Sequence, residues 1–548
     1  MRPGPYTAHM STSAPTVADL LIRLRGVEST GILFEDNRTS WSEHVGLAVD
    51  LAAALGELLD PALPPHVAVL LDNVPEFSLL LSASAIGGTV LVGLNTTRRG
   101  AALAGDVARA DCQVLVTDSD KVALLDGLDL AGVRVLLTDS DEWHELLAAH
   151  RGSTHPERTP ALDDLFMLIF TSGTSGDPKA VRVTHKMVAG PGVMLAERFG
   201  LSDADTAYAS MPMFHSGAVM ACWSVAIAAG ANFALRRKFS ASGFLPDVRA
   251  FGATYAHYVG KPLAYVLATP ERDDDADNPL KILYGNEGSP SAIAEFARRF
   301  DVRVVDGFGS TEGGVLISRA PGTPPGALGL LPAGIAVLDP DSGTPCPTAE
   351  FDASGHILNA DKATGELVNT AGTGSFAGYY NNPEADADRV RNGQYWSGDL
   401  GYVDADGYVY FAGRSSGWMR VDGENLGSAP IENVLARHPA VTEVAAYAVP
   451  DPEVGDRVAV AVVAEDFDID EFAEFLQSAA DLGPKQLPSF VRVTEDLPKT
   501  ATYKVLGRSL TAQRWNSPDP TWFRAPGTTT FVPVTPDLAA ALDAELDR

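Results

Sequence analysis

The chain has 548 residues, with 71 Asp and Glu against 41 Lys and Arg and a formal net charge of −30. That length implies roughly two to four domains and room for a large core. The charge argues against nucleic acid and anionic membrane surfaces as general partners, so a phosphate site has to be built locally, from loop amides, Mg2+ and a few placed cations.

Residues 1–15 are Pro/Ser/Thr-rich, carry no apolar signal core and read as disordered. Gly31 to Phe34 reads as a strand, Ser40 to Leu59 as a helix with apolar periodicity and Val67 to Leu71 as a buried strand. Phe77 to Leu94 is uncharged and nearly long enough to span a bilayer. Its Ser78, Ser82, Ser84 and Gly87-Gly88 instead predict a buried helix (Pro75 to Ala85), a turn and a buried strand (Thr89 to Val92). Val114–Thr117 and Val133–Thr138 continue the βαβ rhythm of a parallel sheet. Residues 151–160 form a polar linker. Cys112, Cys222 and Cys346 lie far apart and suggest neither a metal site nor a disulfide framework, which fits a reducing cytoplasm.

The central stretch, Leu168 to His185, reads LIFTSGTSGDPKAVRVTH. The apolar run Met167 to Phe170 predicts a strand buried on both faces. It feeds into Thr171, Ser172, Gly173, Thr174, Ser175 and Gly176, then Asp177, Pro178 and Lys179. Glycines let such a loop wrap an anion, and its amides and hydroxyls are donors, so phosphate is the natural guest. The spacing is not that of a Walker P-loop. A solvated Ser/Gly/Thr turn has the same composition, and the loop alone does not decide between the two.

Downstream, Met211 to Gly217 (MPMFHSG) sets His215 among apolar and small residues. Thr254 to Pro270 predicts a strand, a Gly-Lys-Pro break and a helix. Leu283 to Pro290 (LYGNEGSP) predicts a strand ending in a polar turn, and Val302 to Gly314 (VRVVDGFGSTEGG) repeats the design with Glu312 in its loop. Two such units are what a ligand site at the carboxyl ends of a parallel sheet requires. From Tyr395, YWSGDLGYVDADGYVYFAGR predicts antiparallel strands. A small α+β domain follows, its boundary near Arg414 to Arg420, with helices at Pro430 to Arg437 and Ile469 to Ala479 and strands at Val441 to Val449 and Val458 to Val463. After Leu510 a Pro- and Thr-rich tail leads to a short helix, Asp537 to Leu546.

With these motifs in this order the chain resembles the acyl-adenylate-forming superfamily of acyl-CoA synthetases, luciferases and peptide-synthetase adenylation domains. The central loop, FGSTEGG, SGDLGYVDADGYVYFAGR and Lys504 in LPKTATYKVLGR carry the likeness over roughly residues 28–512. YVGKPLAYVLATP, YGNEGSP and GENLGSAPIE are similar to the fatty-acid-transport-protein and very-long-chain or steroid acyl-CoA synthetase branch, in its actinobacterial form. That branch's eukaryotic membrane anchor is absent here, so no integral membrane anchor and no transport role are expected. The resemblance implies an α/β fold. A large N-terminal domain over 16–414 would hold parallel or mixed sheets flanked by helices, plus a small β-rich part. A small mobile α+β domain over 415–515 and a tail over 516–548 would follow. The implied enzyme is a cytoplasmic ATP-dependent acid–thiol ligase using ATP, Mg2+ and coenzyme A. It would convert a carboxylic acid to acyl-AMP and then to the CoA thioester.

Residue roles follow from the same resemblance. Thr171–Lys179 would hold the β- and γ-phosphates, Glu312 would bind Mg2+ and Thr311 would donate to the α-phosphate. Phe308, on a loop shared with Gly309 and Ser310, would lie against adenine beside the turn of Gly285, Asn286 and Glu287. Asp399 would accept from the ribose hydroxyls, Arg414 would also contact ribose, and Lys504 would bridge the substrate carboxylate and the α-phosphate. His215 would position the acyl carboxylate or gate the acyl tunnel, although a lone histidine is usually a satisfied core residue. Gly217, Ala218, Tyr255, Tyr258, Tyr284 and Gly313 would shape a pocket for a long or bulky apolar acid: fatty, steroid or terpenoid. Rotation of the C-terminal domain would then bring Gly423, Glu424 and Asn425 to the thioester site and remove Lys504. Gly417 stands where a hinge Asp or Lys is usual, and Ala180 where Gly is common. The first puts CoA ligation in question. Two rivals therefore stand: an adenylating enzyme that stops at acyl-AMP or passes it to a carrier or partner protein, and a ligase-like binding protein without turnover. A homodimer is the default assembly.

Overall fold

The computed structural model describes residues 14–130, 132–154, 160–171, 178–352, 357–414, 419–421, 424–452, 454–479, 482–500 and 505–546. The N-terminal segment read as disordered thus lies, up to residue 13, outside the described residues. Contacts divide the chain into two units: one through Gly313 together with Ser375–Ala387, the other Gly314–Gly374 together with Asp388 onward.

The first unit is built on thirteen strands among the described residues: β1 Gly31–Phe34, β2 Asn37–Ser40, β3 His66–Val69, β4 Val90–Gly93, β5 Val114–Thr117, β6 Arg134–Leu137, β7 Leu165–Thr171, β8 Lys179–Thr184, β9 Thr206–Ala209, β10 Asn232–Leu235, β11 Tyr255–Val259, β12 Ile282–Asn286 and β13 Arg303–Gly309. One sheet runs β6-β5-β3-β4-β7-β8. Its neighbours are parallel except for the β7/β8 hairpin. The other runs β13-β12-β11-β9-β10-β1-β2, parallel until β2 turns back on β1. The continuous apolar runs of β3, β4 and β5 are buried throughout, as strands covered on both faces must be. β1 does not open the first sheet, as the βαβ rhythm suggested. It pairs with β10, Ile32 beside Phe233, and local periodicity carries no information on so distant a partner.

The serine-containing apolar stretch is the helix Pro75–Gly87, buried from Phe77 to Ile86. Pro75 starts it with a preset φ, and Gly88 at φ 75 ends it. Its serines are buried because they have partners: Ser78 and Ser82 lie 3.3 and 3.0 Å from His44 Nε2. No helix among the described residues is long and apolar enough to cross a membrane. The Gly-Lys-Pro expected to break the chain after β11 instead forms the first turn of the helix Gly260–Leu267, where a proline loses no hydrogen bond.

In the second unit, Ala327–Leu330, Tyr408–Arg414, Gln394–Val403, Gly365–Asn369 and Ile335–Leu338 form an antiparallel sheet in that order. A second sheet pairs Val441–Asp451 with Gly455–Ala464, and Gly455–Ala464 with Phe490–Val493. The tail continues this sheet. Thr521–Phe523 pairs with Phe490–Val493, and Val532–Pro533 pairs with Thr521–Phe523. The helix Pro536–Leu546 lays Ala539, Leu542 and Leu546 against a cluster containing Tyr447, Phe490 and Trp515. The Pro/Thr composition concealed two short strands.

Candidate active site

The β7/β8 hairpin puts Thr171 opposite Lys179 at the base of the central loop. Ser172, Gly173, Thr174, Ser175 and Gly176 lie outside the described residues, as do Gly417, Gly423 and Lys504. Lys179 is 7% exposed, and its ammonium lies 5.2 Å from the ring centre of Tyr379. Tyr379 is itself buried and donates its hydroxyl to Glu312 Oε1 at 3.0 Å. A lysine and a carboxylate far apart in sequence thus meet at one aromatic side chain.

Glu312 leaves β13 through Phe308, Gly309, Ser310 and Thr311, all partly accessible. The Thr311 hydroxyl lies 2.8 Å from that of Ser216, next to His215. Gly313 takes φ 66, where a Cβ would be strained, and its carbonyl accepts from Ser375 N at 3.1 Å. Among the described residues no three His, Cys, Asp or Glu gather as a metal site. A cation here would have one carboxylate and would complete its shell with phosphate oxygens and water. That is how Mg2+ is ordinarily held, so the residues present fit it.

The carboxyl ends of β11, β12 and β13 supply the next layer. Tyr258, Gly285 and Asp306 stand side by side in register, as do His257, Tyr284 and Val305. Successive side chains alternate between the faces of a sheet. On one face Tyr258 packs in a cluster with Leu263 and Ile293 and donates to Asp306 Oδ1 at 2.5 Å; Gly288 N donates to the same oxygen at 3.1 Å. Asn286 closes β12, and Glu287 follows at φ 63.

On the other face His257 presses on Gly217: a Cβ there would come within 2.5 Å of the imidazole. Burial lowers His257 from 6.5 to about 4, so the ring is neutral, and its Nδ1 has no partner among the described residues. Tyr255 is fully enclosed. Its hydroxyl donates at 2.6 Å to Ala221 O, inside the π-helical turn Val219–Trp223, whose wide winding displaces carbonyls from their usual partners. Phe199 touches both Tyr255 and Tyr284, and burial raises the Tyr284 phenol. Ala218 is buried. The acyl set expected from sequence therefore divides. Gly217, Tyr255 and Tyr284 share a face, whereas Tyr258 points to the other, and it is His257 that abuts Gly217. The alternation of TYAHYV already implied this split.

His215 is half-buried, its ring centre 4.6 Å from that of Phe214. Its segment is fixed by the buried Asn73. The Asn73 Oδ1 accepts from Met213 N at 2.9 Å, and its Nδ2 donates to Met211 O and Arg236 O. In the second unit Asp399 is buried, with its amide donating to Ser397 Oγ at 3.0 Å, and pairs in register with Arg414. Glu424 lies in the strand Glu424–Leu426.

Residues 24–380 match the AMP-binding enzyme family, and 430–504 match the AMP-binding enzyme C-terminal domain. The chain belongs to the AMP-binding enzyme family. This AMP-binding enzyme is 55% identical to the medium/long-chain-fatty-acid–CoA ligase FadD17 of Mycobacterium tuberculosis, over 94% of its own length and 99% of the relative's. It is 46% identical to the steroid-22-oyl-CoA synthetase of Rhodococcus jostii, over 93% of each. Its fold is that of ATP-bound MatB from Rhodopseudomonas palustris, with a TM-score of 0.79 at 22% identity over 90% of this chain and 98% of that one. The o-succinylbenzoate CoA synthetase of Bacillus subtilis, in complex with ATP and magnesium ion, matches with a TM-score of 0.74 at 22% identity, over 90% and 98%.

Sequence reasoning passed over Tyr379, Asp306, His257 and Asn73. Tyr379 and Asp306 stood inside quoted or nearby Gly-rich text (FAGYYNN, VVDGFGS), but nothing local identified their partners.

Proposed function

We propose that this AMP-binding enzyme is an acyl-CoA ligase that activates a long or bulky apolar carboxylic acid with ATP to acyl-AMP and then forms the CoA thioester. The observation that carries the reading is the convergence of Lys179 and Glu312 on Tyr379. A cation for phosphate oxygens and a carboxylate for Mg2+ are what in-line displacement at phosphorus needs. The relatives named for fatty-acid and steroid CoA ligation support the substrate class.

Mg2+, when bound, supplies charge neutralisation on the phosphates. Lys179 and the Thr171–Gly176 loop hold the β- and γ-phosphates, Glu312 provides the metal carboxylate, and Thr311 donates to the α-phosphate. Phe308 stacks on adenine beside Gly285, Asn286 and Glu287. Asp399 and Arg414 take ribose, and Lys504 bridges the acid carboxylate to the α-phosphate. His215, Gly217, Ala218, Tyr284 and Gly313 face the acyl group, with Tyr255 behind them. The C-terminal domain begins after Arg414, and Gly417, Gly423 and Glu424 serve its movement and the thioester step. A homodimer and a carrier or partner enzyme are compatible with this reading.

The test is a mass-spectrometric product assay with ATP, Mg2+, CoA and a panel of fatty, steroid, terpenoid and aromatic acids, run beside Lys504→Ala. Acyl-CoA from one class, with adenylation lost in the variant, is the expected result. Acyl-AMP accumulating without thioester would favour an enzyme that stops at the adenylate and would point to Gly417. Nucleotide binding without pyrophosphate release from any acid would count against catalysis.

A further inference from the structure

Tyr379 is held more rigidly than a surface tyrosine and placed where the two charged groups of the phosphate site meet. The main chain around it is stitched along β8: Arg182 N donates to Gly378 O at 3.0 Å and Tyr380 N to Ala180 O at 2.8 Å. Tyr379 N itself donates to Asp386 Oδ1 at 2.7 Å, and Phe376 packs edge-on against the ring at 5.2 Å. β8 begins at Lys179, so the segment that carries the tyrosine is hydrogen-bonded to the strand that carries the lysine.

We infer that Tyr379 is a positioning residue for the nucleotide half of the reaction: its hydroxyl fixes Glu312 for the divalent cation, and its ring holds the Lys179 ammonium in place for phosphate. The inference rests on the proposed roles of Glu312 and Lys179. A glutamate has three rotatable bonds and two equivalent oxygens. A donor on Oε1 selects one rotamer and leaves Oε2 to the metal. A neutral phenol does this without competing for the cation's charge, and losing such an outer partner of a metal ligand typically costs about 10–100-fold in metal affinity. The ring face meanwhile attracts the buried lysine's ammonium without carrying a charge of its own. An anionic partner would have to be displaced when phosphate arrives; a ring does not.

The competing account is an ordinary core tyrosine whose hydroxyl happens to find a carboxylate. The two differ in what Mg2+ does. ATP binding to the full chain is followed by calorimetry over a Mg2+ series and in EDTA, and Mn2+ bound in the presence of ATP is counted by electron paramagnetic resonance. The variants are Tyr379→Phe, Tyr379→Leu, Glu312→Gln and the double Tyr379→Phe/Glu312→Gln. Tyr379→Phe keeps the ring and is expected to raise the Mg2+ needed for half-maximal ATP binding roughly tenfold, with ATP affinity in EDTA unchanged. Tyr379→Leu is expected to weaken ATP binding in EDTA as well, because Lys179 loses its platform. The double variant is expected to match Glu312→Gln alone, since both changes act through one carboxylate. A lower melting temperature with wild-type Mg2+ dependence in Tyr379→Phe, or additive effects in the double variant, would overturn the inference. Wild-type Mg2+ dependence in Glu312→Gln would instead overturn the role of Glu312, and this one with it, so the two failures are told apart by which variant is silent.

Discussion

The Tyr258 hydroxyl reaches Asp306 Oδ1, 2.5 Å away, by crossing over Gly285. The three residues occupy one register row on β11, β12 and β13. A Cβ on Gly285 would lie 2.2 Å from Tyr258 O and 2.5 Å from its ring. Gly285 is therefore an opening for an aromatic ring. Gly285→Ala is expected to break the Tyr258–Asp306 bond by overpacking and to cost about 1–3 kcal/mol. Because Gly288 N shares Asp306, the KM for ATP should rise as well. Thermal melts and ATP titrations check both, and an unchanged melting temperature would show that the row is slack.

Acid should destabilise the first unit before it titrates most carboxylates. Burial lowers His44, His185 and His257 from 6.5 to about 4. The unfolded chain takes up these protons near 6.5 and the folded chain does not, so their stabilising effect is complete above 6.5 and is lost as pH falls toward 4. Each can contribute on the order of 3 kcal/mol across that window. Urea midpoints at a series of pH values should fall steeply there. His257→Leu removes one of the three protons and should flatten the slope; an unaltered slope would mean that the imidazole is charged in the fold.

How much of this was legible in advance follows distance along the chain. The helix Pro75–Gly87 and the strand–loop design of β13 were plain because proline, glycine and apolar periodicity act locally. Glu312 and Lys179 stood out as candidates because each sits in Gly-rich text that also carries the family resemblance. Their meeting at Tyr379 was not legible, since it requires the 375–387 segment to return to the first unit. The facing of Tyr258 could have been read from strand alternation. That of His257 toward Gly217 could not, because it depends on how the Ser216–Ala218 turn packs.

The His257–Gly217 contact makes a narrow prediction about substrate. Gly217→Ala places a methyl 2.5 Å from the imidazole Cε1, and backbone or ring must move. The KM for the acid should increase several-fold while the KM for ATP stays near wild type. Equal increases in both would mean that the contact serves the fold rather than the acyl side.

Arg299 and Asp275, outside the candidate site's residues, form an ion pair at 2.6 Å with side chains 4% and 3% exposed. The guanidinium also donates to Leu267 O, Thr269 O and Pro270 O. Asp275→Asn leaves that cation buried without its counter-charge and should cost about 3–5 kcal/mol. The effect should appear in the melting temperature, with kcat retained at temperatures where the variant is folded. A change of less than about 1 kcal/mol would place the pair among weak surface pairs.

The strands Thr521–Phe523 and Val532–Pro533 bear on how this chain can be cut and recombined. The C-terminal family match ends at residue 504, yet hydrogen-bonded pairing runs on to Pro533 and apolar packing to Leu546. A chimera spliced at the family boundary would strip Phe490–Val493 of a neighbour and, by removing Trp515, uncover Phe490 and Tyr447, inviting edge-to-edge association. The transplantable C-terminal module of this ligase is accordingly longer than its sequence signature, and exchange experiments among its relatives should move the terminal helix along with residues 430–504.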